Sequence, residues 1–192
     1  GLPINKLIVA TNQNDILHRA ISKGKYEAEH VSETISPSMD IQIASNFERL
    51  IYDLNNHDSS QTLDDMKTIK QNGKYSIDDE KLKKINQDFL SARMSEQETL
   101  DVIKNIYEKF NMVLDPHTAI GYGAFDKHDL KGNNIVLATA HPCKFPDAIL
   151  KAINLKSDLP NELKFILDEK ENYGIIENNL KEIKQYILGK IK

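Results

Sequence analysis

The sequence has few of the residues and patterns that mark specialised classes of protein. Its one cysteine, Cys143, excludes an intramolecular disulfide framework and a zinc site built on several cysteines, and it fits a reducing compartment. No apolar run reaches 18 residues and the first residues lack a signal-peptide pattern, so neither a membrane span nor a leader is predicted. Lys and Arg total 25 against 29 Asp and Glu, and this net charge of -4 argues against a dedicated nucleic-acid binder. Gly-rich phosphate loops and the G-x-S-x-G motif do not occur either.

What remains is the composition of an ordinary globular domain. The 192 residues are 40% hydrophobic and 28% charged, with a mean hydropathy of -0.50. A chain of this length forms about one domain and buries roughly 70% of its unfolded surface, which is enough for a hydrophobic core without disulfides.

Strands and helices are predicted to alternate along the chain. The apolar run at residues 7–10 predicts a strand covered on both faces, as in a parallel sheet. Either a natural edge strand or a preceding part of a longer protein explains its place at the very start. Residues 134–139 predict a second buried strand, and residues 112–114 predict a short third strand. The order of elements indicates an α/β fold in which helices flank a parallel sheet.

Capping residues and apolar spacing predict the helices. An Asn or Asp cap and Gly24 bound the first helix, and Ser95 with Glu98 forms a capping box before a later one. Apolar spacing predicts one buried helical face made by Ile43, Phe47, Leu50, Ile51 and Leu54. Two short helices are predicted within residues 57–94, with a connector near Gly73. Further helices are predicted after Asp115, at residues 146–155 and, as an amphipathic helix, at residues 177–192. This last helix is interpreted as a packing helix rather than a membrane or partner helix.

Three polar runs follow predicted strands, where parallel sheets bind ligands. They are residues 11–15, 115–118 and 139–142, and each lies before a helix N-terminus whose free N–H groups favour anions. We expect the runs to meet in one crevice; the alternative is that each only caps a helix. In a further polar stretch at residues 33–49, hydroxyls and Arg49 could grip a phosphate or carboxylate, or could simply cap and solvate a helix.

Single residues in these runs allow more than one interpretation. His117 and His141 have the chemistry of a metal pair, but no carboxylate stands at ligand spacing, which favours capping or packing and no metal. Asp115 is interpreted as a helix N-cap rather than a general base. Cys143 lies near a helix start that would stabilise a thiolate, but no base lies beside it in the sequence.

The polar runs resemble those of threonine synthases, pyridoxal-phosphate enzymes that convert O-phosphohomoserine and water into threonine and phosphate. The matching motifs occur in family order over residues 2 to 146, whereas residues 57–94 and 155–192 match only in general character. They are Ala-Thr-Asn-Gln-Asn-Asp at 10–15, Ser-Pro-Ser-Met-Asp at 36–40, Ser-Asn-Phe-Glu-Arg at 45–49, Asp-Pro-His-Thr-Ala at 115–119 and Ala-Thr-Ala-His-Pro-Cys-Lys-Phe at 138–145. The resemblance implies the incomplete C-terminal part of a fold-type II pyridoxal-phosphate enzyme.

The resemblance also implies how the chain is organised. Residues 1–156 would be the C-terminal part of the cofactor-binding catalytic domain, with 57–94 a helical insertion, and residues 157–192 would be C-terminal packing helices. In this family a Gly-rich phosphate loop and the lysine that holds the cofactor precede the strand matching residues 7–10, and both are missing here. We therefore expect a cytoplasmic enzyme fragment that is inactive alone and acts with the missing N-terminal portion. The alternative is a stand-alone α/β module that binds an anionic small molecule or a protein partner.

The resemblance assigns roles to individual residues. Thr139 occupies the position whose hydroxyl meets the ring nitrogen of pyridoxal phosphate, and no lysine here matches the family's lysine motif. Substrate or cleft roles fall to Asn12, Ser36, Ser38, Asn46, Arg49, Asp115, His117 and Thr118. The implied substrate is O-phosphohomoserine, and no nucleic acid, membrane or metal is implied.

Overall fold

The computed structural model describes residues 2–191 and separates into two units, Gly1–Asp158 and Leu159–Lys192. The first unit contains β1 (Leu7–Thr11), α1 (Ile16–Lys23), β2 (Lys25–Glu27), α2 (Phe47–Leu54), α3 (Ser59–Asn72), β3 (Lys74–Ser76), α4 (Asp79–Asp88), β4 (Phe89–Arg93), α5 (Glu96–Phe110), α6 (Pro116–Asp126) and α7 (Pro146–Ile153), with 3₁₀ turns at Pro37–Met39 and Pro142–Lys144. The second contains a 3₁₀ helix at Asn161–Leu167 and α8 (Leu180–Lys190). No helix within residues 2–191 is both long enough and apolar enough to cross a membrane.

The first predicted strand and its parallel pairing are confirmed, and with them the α/β class. Strand β1 pairs in parallel with β4, in register from Leu7 opposite Phe89 to Thr11 opposite Arg93. Helices α1 and α6 both pack on β1, although Leu7 remains 45% exposed, so β1 is less covered than predicted. Neither strand has a second neighbour in the part of the chain that the structure describes, so each has one free edge.

Two of the predicted strands are wrong. Residues 134–139 form no strand, because no strand within residues 2–191 lies beside them to accept or donate ladder hydrogen bonds. Ile135 is 88% exposed and Leu137 is 74% exposed, whereas the sequence predicted burial. Residues 112–114 form no strand in the part of the chain that the structure describes, and they only link α5 to the N-cap of α6.

The predicted helices are found, with two differences at their starts. Gly24 ends α1 in the left-handed conformation at φ 67°, and α5 begins with the predicted capping box. Asp15 makes no side-chain cap bond, because its carboxylate accepts from Arg19 Nε at 2.8 Å instead. Helix α2 begins at Phe47, so Ile43 lies before it and is 71% exposed rather than part of the buried face.

Residues 57–94 contain the two predicted helices, α3 and α4, and also two strands, β3 and β4. The connector between them holds β3, which pairs antiparallel with β2. Strand β4 follows α4 directly and was not predicted, because Phe-Leu-Ser-Ala-Arg has no β-branched residue and no clear alternation. Its pairing with β1, about 80 residues earlier in the chain, makes it a strand.

Two hydrophobic clusters hold the first unit together. The larger one gathers side chains from α1, α2, α3 and α4, including Ile16, Ile51 and Ile85. The smaller one joins α5, α6 and α7 through Ile103, Ala119 and Ile149, all of them fully buried. A fully buried isoleucine of this kind contributes about 1.5–3 kcal/mol of apolar burial, so the smaller cluster fixes the N-terminal turns of α6.

In the second unit, the helix predicted within residues 177–192 is present as α8. Asn179 caps it by accepting from the backbone N–H groups of Lys181 and Glu182. Leu180 is 69% exposed and Ile187 is 50% exposed. The predicted packing role of this helix stays a prediction, and residue 192 lies outside the described residues.

Candidate functional site

The side chain of Asn12, just after β1, is held by a loop further along the chain. Its Nδ2 atom lies 2.9 Å from Thr34 Oγ1, 3.0 Å from Ser36 Oγ and 2.7 Å from Asp40 Oδ1. Asn14 Nδ2 donates to the same Asp40 oxygen at 2.9 Å. We call these five residues the Asp40 cluster. Because Asn12 is 3% exposed and Ser36 1% exposed, the cluster is a buried joint between the end of β1 and the loop.

Asp40 is the acceptor that organises this cluster. Its Oδ1 also accepts from Thr34 Oγ1 at 2.7 Å, and its Oδ2 accepts from Thr34 N at 2.9 Å. Asn14 reinforces the joint, since its amide bonds both the N–H and the C=O of Ser32. Thr34, Asn14 and Asp40 have no role in the predicted site, because the bonds that join the end of β1 to the loop span 18 to 28 residues of sequence and leave no local signal.

The other predicted substrate residues are not in this cluster. Ser38, Asn46 and Arg49 are all exposed. Asn46 and Arg49 line an open groove of about 860 Å³ at the start of α2, together with Tyr52 and Asp53. The structure therefore divides the predicted residues into buried ones that bond one another and exposed ones that are free to meet a ligand.

Asp115 is the N-cap of α6, as predicted, and its carboxylate is 1% exposed. Its Oδ1 accepts from the backbone N–H of His117 at 2.9 Å and from that of Thr118 at 3.4 Å. Its Oδ2 accepts a hydrogen bond from the Thr118 hydroxyl. Caps of this kind satisfy N–H groups that a helix start otherwise leaves unpaired.

Thr139 lies against this helix start. Its backbone N–H donates to Thr118 Oγ1 at 3.2 Å, across 21 residues of sequence. The Thr139 side chain is exposed, and nothing in the described part of the chain forms a hydrogen bond with its hydroxyl. We call Asp115, His117, Thr118 and Thr139 the Asp115 cluster. No hydrogen bond within residues 2–191 joins it to the Asp40 cluster, and a single crevice shared by all three polar runs stays a prediction.

The two histidines have separate partners. His117 Nδ1 lies 3.1 Å from Asp115 Oδ1, and the His117 ring packs on Phe145 with 4.7 Å between centroids. Its Nε2 atom is buried without a hydrogen-bond partner among residues 2–191. His141 Nδ1 accepts from the backbone N–H of Cys143 at 3.2 Å. Both histidines therefore have the capping and packing contacts that the sequence analysis preferred to a metal pair.

A charged group that the sequence analysis missed lies at the end of β4. Lys127 Nζ is 2.7 Å from the Arg93 carbonyl oxygen and 2.7 Å from Glu98 Oε1. The Lys127 ammonium, followed by the Ser95 backbone N–H, lowers the pKa of Glu98 to about 2. Arg93 Nε in turn lies 3.5 Å from Asp15 Oδ2. These charges compensate one another and tie α5 and α6 to the carboxyl end of β4.

Together these features define an α/β protein whose polar clusters lie in loops after a strand and at a helix start, where such folds bind ligands. A family model described as threonine synthase, C-terminal, matches residues 118–187. The chain is 37% identical to threonine synthase of Pseudomonas aeruginosa and 40% identical to that of Saccharomyces cerevisiae, over 97% and 92% of its length.

Solved structures agree with the sequence matches. The PLP-bound threonine synthase of Brucella melitensis superposes with a TM-score of 0.85 at 41% identity, over 97% of this chain and 40% of that one. Yeast threonine synthase gives a TM-score of 0.81 at 38% identity, over 98% of this chain and 42% of that one. The chain spans about two fifths of the length of the curated relatives it matches. The predicted resemblance is confirmed: along nearly its whole length the chain is similar to the C-terminal region of threonine synthases.

Proposed function

We propose that this chain is the C-terminal portion of a cytoplasmic threonine synthase, which converts O-phosphohomoserine and water into L-threonine and phosphate with pyridoxal phosphate. The observation that carries the proposal is the similarity to threonine synthases over 97% of the chain, in sequence and in structure. One of these relatives is a PLP-bound enzyme. The similarity favours this function over a stand-alone binding module.

Thr139 is the residue we assign to the cofactor. Pyridoxal phosphate, when bound, supplies an electron sink whose strength depends on what its ring nitrogen meets. The Thr139 hydroxyl fits that role because it is exposed and, in the described chain, bonds to nothing else, while its backbone is held by Thr118. A hydroxyl can donate a hydrogen bond to the ring nitrogen without supplying a negative charge that would keep the nitrogen protonated.

For the substrate phosphate we propose the exposed residues Asn46 and Arg49. A guanidinium can bind a phosphate through two parallel charge-assisted hydrogen bonds, and Asn46 stands at the start of α2, where backbone N–H groups also favour anions. Asn12 and Ser36 have their polar atoms engaged inside the Asp40 cluster. Their role in this proposal is to hold the loop that carries Ser38, an exposed residue, in place.

The remaining portion of the enzyme would cover surfaces that are open here. Strands β1 and β4 each have a free edge in the structure of residues 2–191, and Ile135 and Leu137 expose large apolar side chains. Free strand edges and apolar patches are surfaces that other protein segments commonly cover. We therefore propose that the chain is inactive by itself and acts joined to an N-terminal portion that supplies the lysine and the phosphate loop.

The test uses the complete enzyme that this proposal requires, with this chain as its C-terminal portion. Purified wild-type enzyme is expected to release threonine and phosphate from O-phosphohomoserine. Thr139→Val keeps the shape and removes the hydroxyl, which costs about 0.5–1.5 kcal/mol, and cofactor affinity or turnover should fall roughly 2- to 13-fold. Thr99→Val is the matched control, because Thr99 is buried in α5 and its hydroxyl, among residues 2–191, bonds only the Ser95 carbonyl, at 2.9 Å.

The two parts of the proposal fail separately. A wild-type enzyme that binds O-phosphohomoserine but makes no threonine refutes the reaction. If Thr139→Val has the kinetics and cofactor spectrum of wild type, the role of Thr139 is refuted while the reaction stands.

A further inference from the structure

We propose that Thr118 and Asp115 are positioning residues that hold Thr139 where its hydroxyl can meet the ring nitrogen of the cofactor. This inference rests on the proposed function. It adds two residues that act on the cofactor only through Thr139.

The Thr118 hydroxyl is oriented by its two partners. It donates its proton to Asp115 Oδ2, which leaves its lone pairs free to accept the Thr139 N–H at 3.2 Å. A hydroxyl without such an acceptor can rotate and present its proton to Thr139 instead, which would break the bond. Asp115 therefore fixes the direction in which Thr118 accepts.

Helix capping alone does not account for this arrangement. The backbone N–H groups of His117 and Thr118 both bond Asp115 Oδ1, and these two bonds complete the cap. The Thr118 hydroxyl donates to the other carboxylate oxygen, Oδ2, and accepts from the backbone N–H of Thr139, 21 residues further along the chain. Asp115 is 1% exposed, so it can serve as a fixed reference point.

Thr139 has few other attachments. Residues 134–139 belong to no strand, and Thr118 Oγ1 is the one hydrogen-bond partner of the Thr139 N–H in the described chain. Val136 packs over α6 where Gly121 leaves room, since a Cβ at Gly121 would lie 3.4 Å from Val136 Cγ1. The segment thus touches one face of α6 at two points, one helical turn apart, and the Thr118 bond is the point nearer the proposed cofactor contact.

The first experiment measures amide hydrogen exchange at Thr139 by NMR in this chain without cofactor. Thr118→Val should accelerate exchange of the Thr139 N–H roughly 2- to 13-fold, the range that corresponds to one lost hydrogen bond. Thr118→Ser keeps the hydroxyl and should exchange like wild type. Thr99→Val, which removes a buried hydroxyl from α5, should leave Thr139 unchanged. If the valine variant does not fold, Thr118→Ala and Thr118→Ser give the same comparison, because they differ by one hydroxyl.

The second experiment measures the dissociation constant of pyridoxal phosphate in the complete enzyme. We expect Thr118→Val to weaken cofactor binding by roughly 2- to 13-fold, and Thr118→Ser to bind the cofactor like wild type. The double variant with both Thr118→Val and Thr139→Val should bind the cofactor no less tightly than the single variant with the lower affinity.

The outcomes separate this inference from the proposed function. Unchanged exchange at Thr139 in Thr118→Val overturns the inference, and so do losses of cofactor affinity that simply add in the double variant. If Thr139→Val weakens cofactor binding and Thr118→Val does not, Thr139 keeps its role and only the positioning role of Thr118 and Asp115 is refuted. If neither single variant affects the cofactor, both the inference and the assignment of Thr139 fail.

Discussion

Replacing Asp40 with asparagine tests whether the Asp40 cluster holds the loop that carries the predicted cleft residues. The carboxylate accepts from Asn12, from Asn14 and twice from Thr34, at 2.7 to 2.9 Å. An asparagine can turn its oxygen toward the three donors at Oδ1, but its NH₂ group then faces the Thr34 N–H. Two donors would meet there without an acceptor.

The expected loss follows from these bonds. One stranded backbone donor in a partly buried site costs about 1–3 kcal/mol, and weakening three charge-assisted bonds to neutral ones brings the total to about 2–4 kcal/mol. For a chain of this size each kcal/mol lowers Tm by about 2–4 °C. Exchange of the Thr34 amide should also accelerate, because that N–H loses its acceptor.

The assay is urea unfolding followed by circular dichroism, with Asp64→Asn as the control. The Asp64 side chain is 71% exposed and pairs with Lys67 at 3.3 Å, so removing its charge should cost less than about 0.5 kcal/mol. An Asp40→Asn variant as stable as the Asp64→Asn variant, with normal exchange at Thr34, would refute the claim that this carboxylate holds the loop.

Two further predictions concern the frame around the site. Gly24 and Gly73 both have φ of 67°, but a Cβ at Gly24 would lie 2.8 Å from the Ile77 carbonyl oxygen, whereas nothing lies within 4 Å at Gly73. Gly73→Ala should cost about 1 kcal/mol and Gly24→Ala at least about 1 kcal/mol more, measured as urea midpoints, and equal midpoints would contradict the steric argument. Because Lys127 depresses the pKa of Glu98 from 4.5 to about 2, ionised Glu98 stabilises the fold above pH 4.5 and this contribution is lost as the pH falls toward 2. The stability difference between wild type and Glu98→Gln should therefore shrink between pH 6 and pH 2, and a constant difference would contradict it.

Helix ends could be predicted from the sequence because their causes are local. Ser95 and Glu98 form their capping box within four residues, Asp115 caps α6 from the position just before it, and Gly24 ends α1 from the position just after it. Each signal consists of a side chain or a φ angle that satisfies groups in the same turn.

Strands were harder to predict because a strand depends on its neighbour. The run Phe-Leu-Ser-Ala-Arg has weak strand propensity, yet it is β4 because β1 lies beside it. Residues 134–139 have strong propensity, yet they are not a strand in the described chain because nothing pairs with them. Propensity shows what a segment tolerates, and pairing determines what it becomes.

The same distinction applies to the site. Asn12, Ser36 and Arg49 were predicted together as substrate or cleft residues, because all three lie in motifs that resemble those of threonine synthases. Burial separates them: the Asn12 amide and the Ser36 hydroxyl form hydrogen bonds with each other and with their neighbours, while Arg49 is exposed to solvent. A polar group with its hydrogen bonds already made gains little by meeting a ligand, because each new bond must replace an existing one. Whether such a residue binds a ligand or holds the fold thus depends on partners 20 or more residues away, as Thr118 and Thr139 also illustrate.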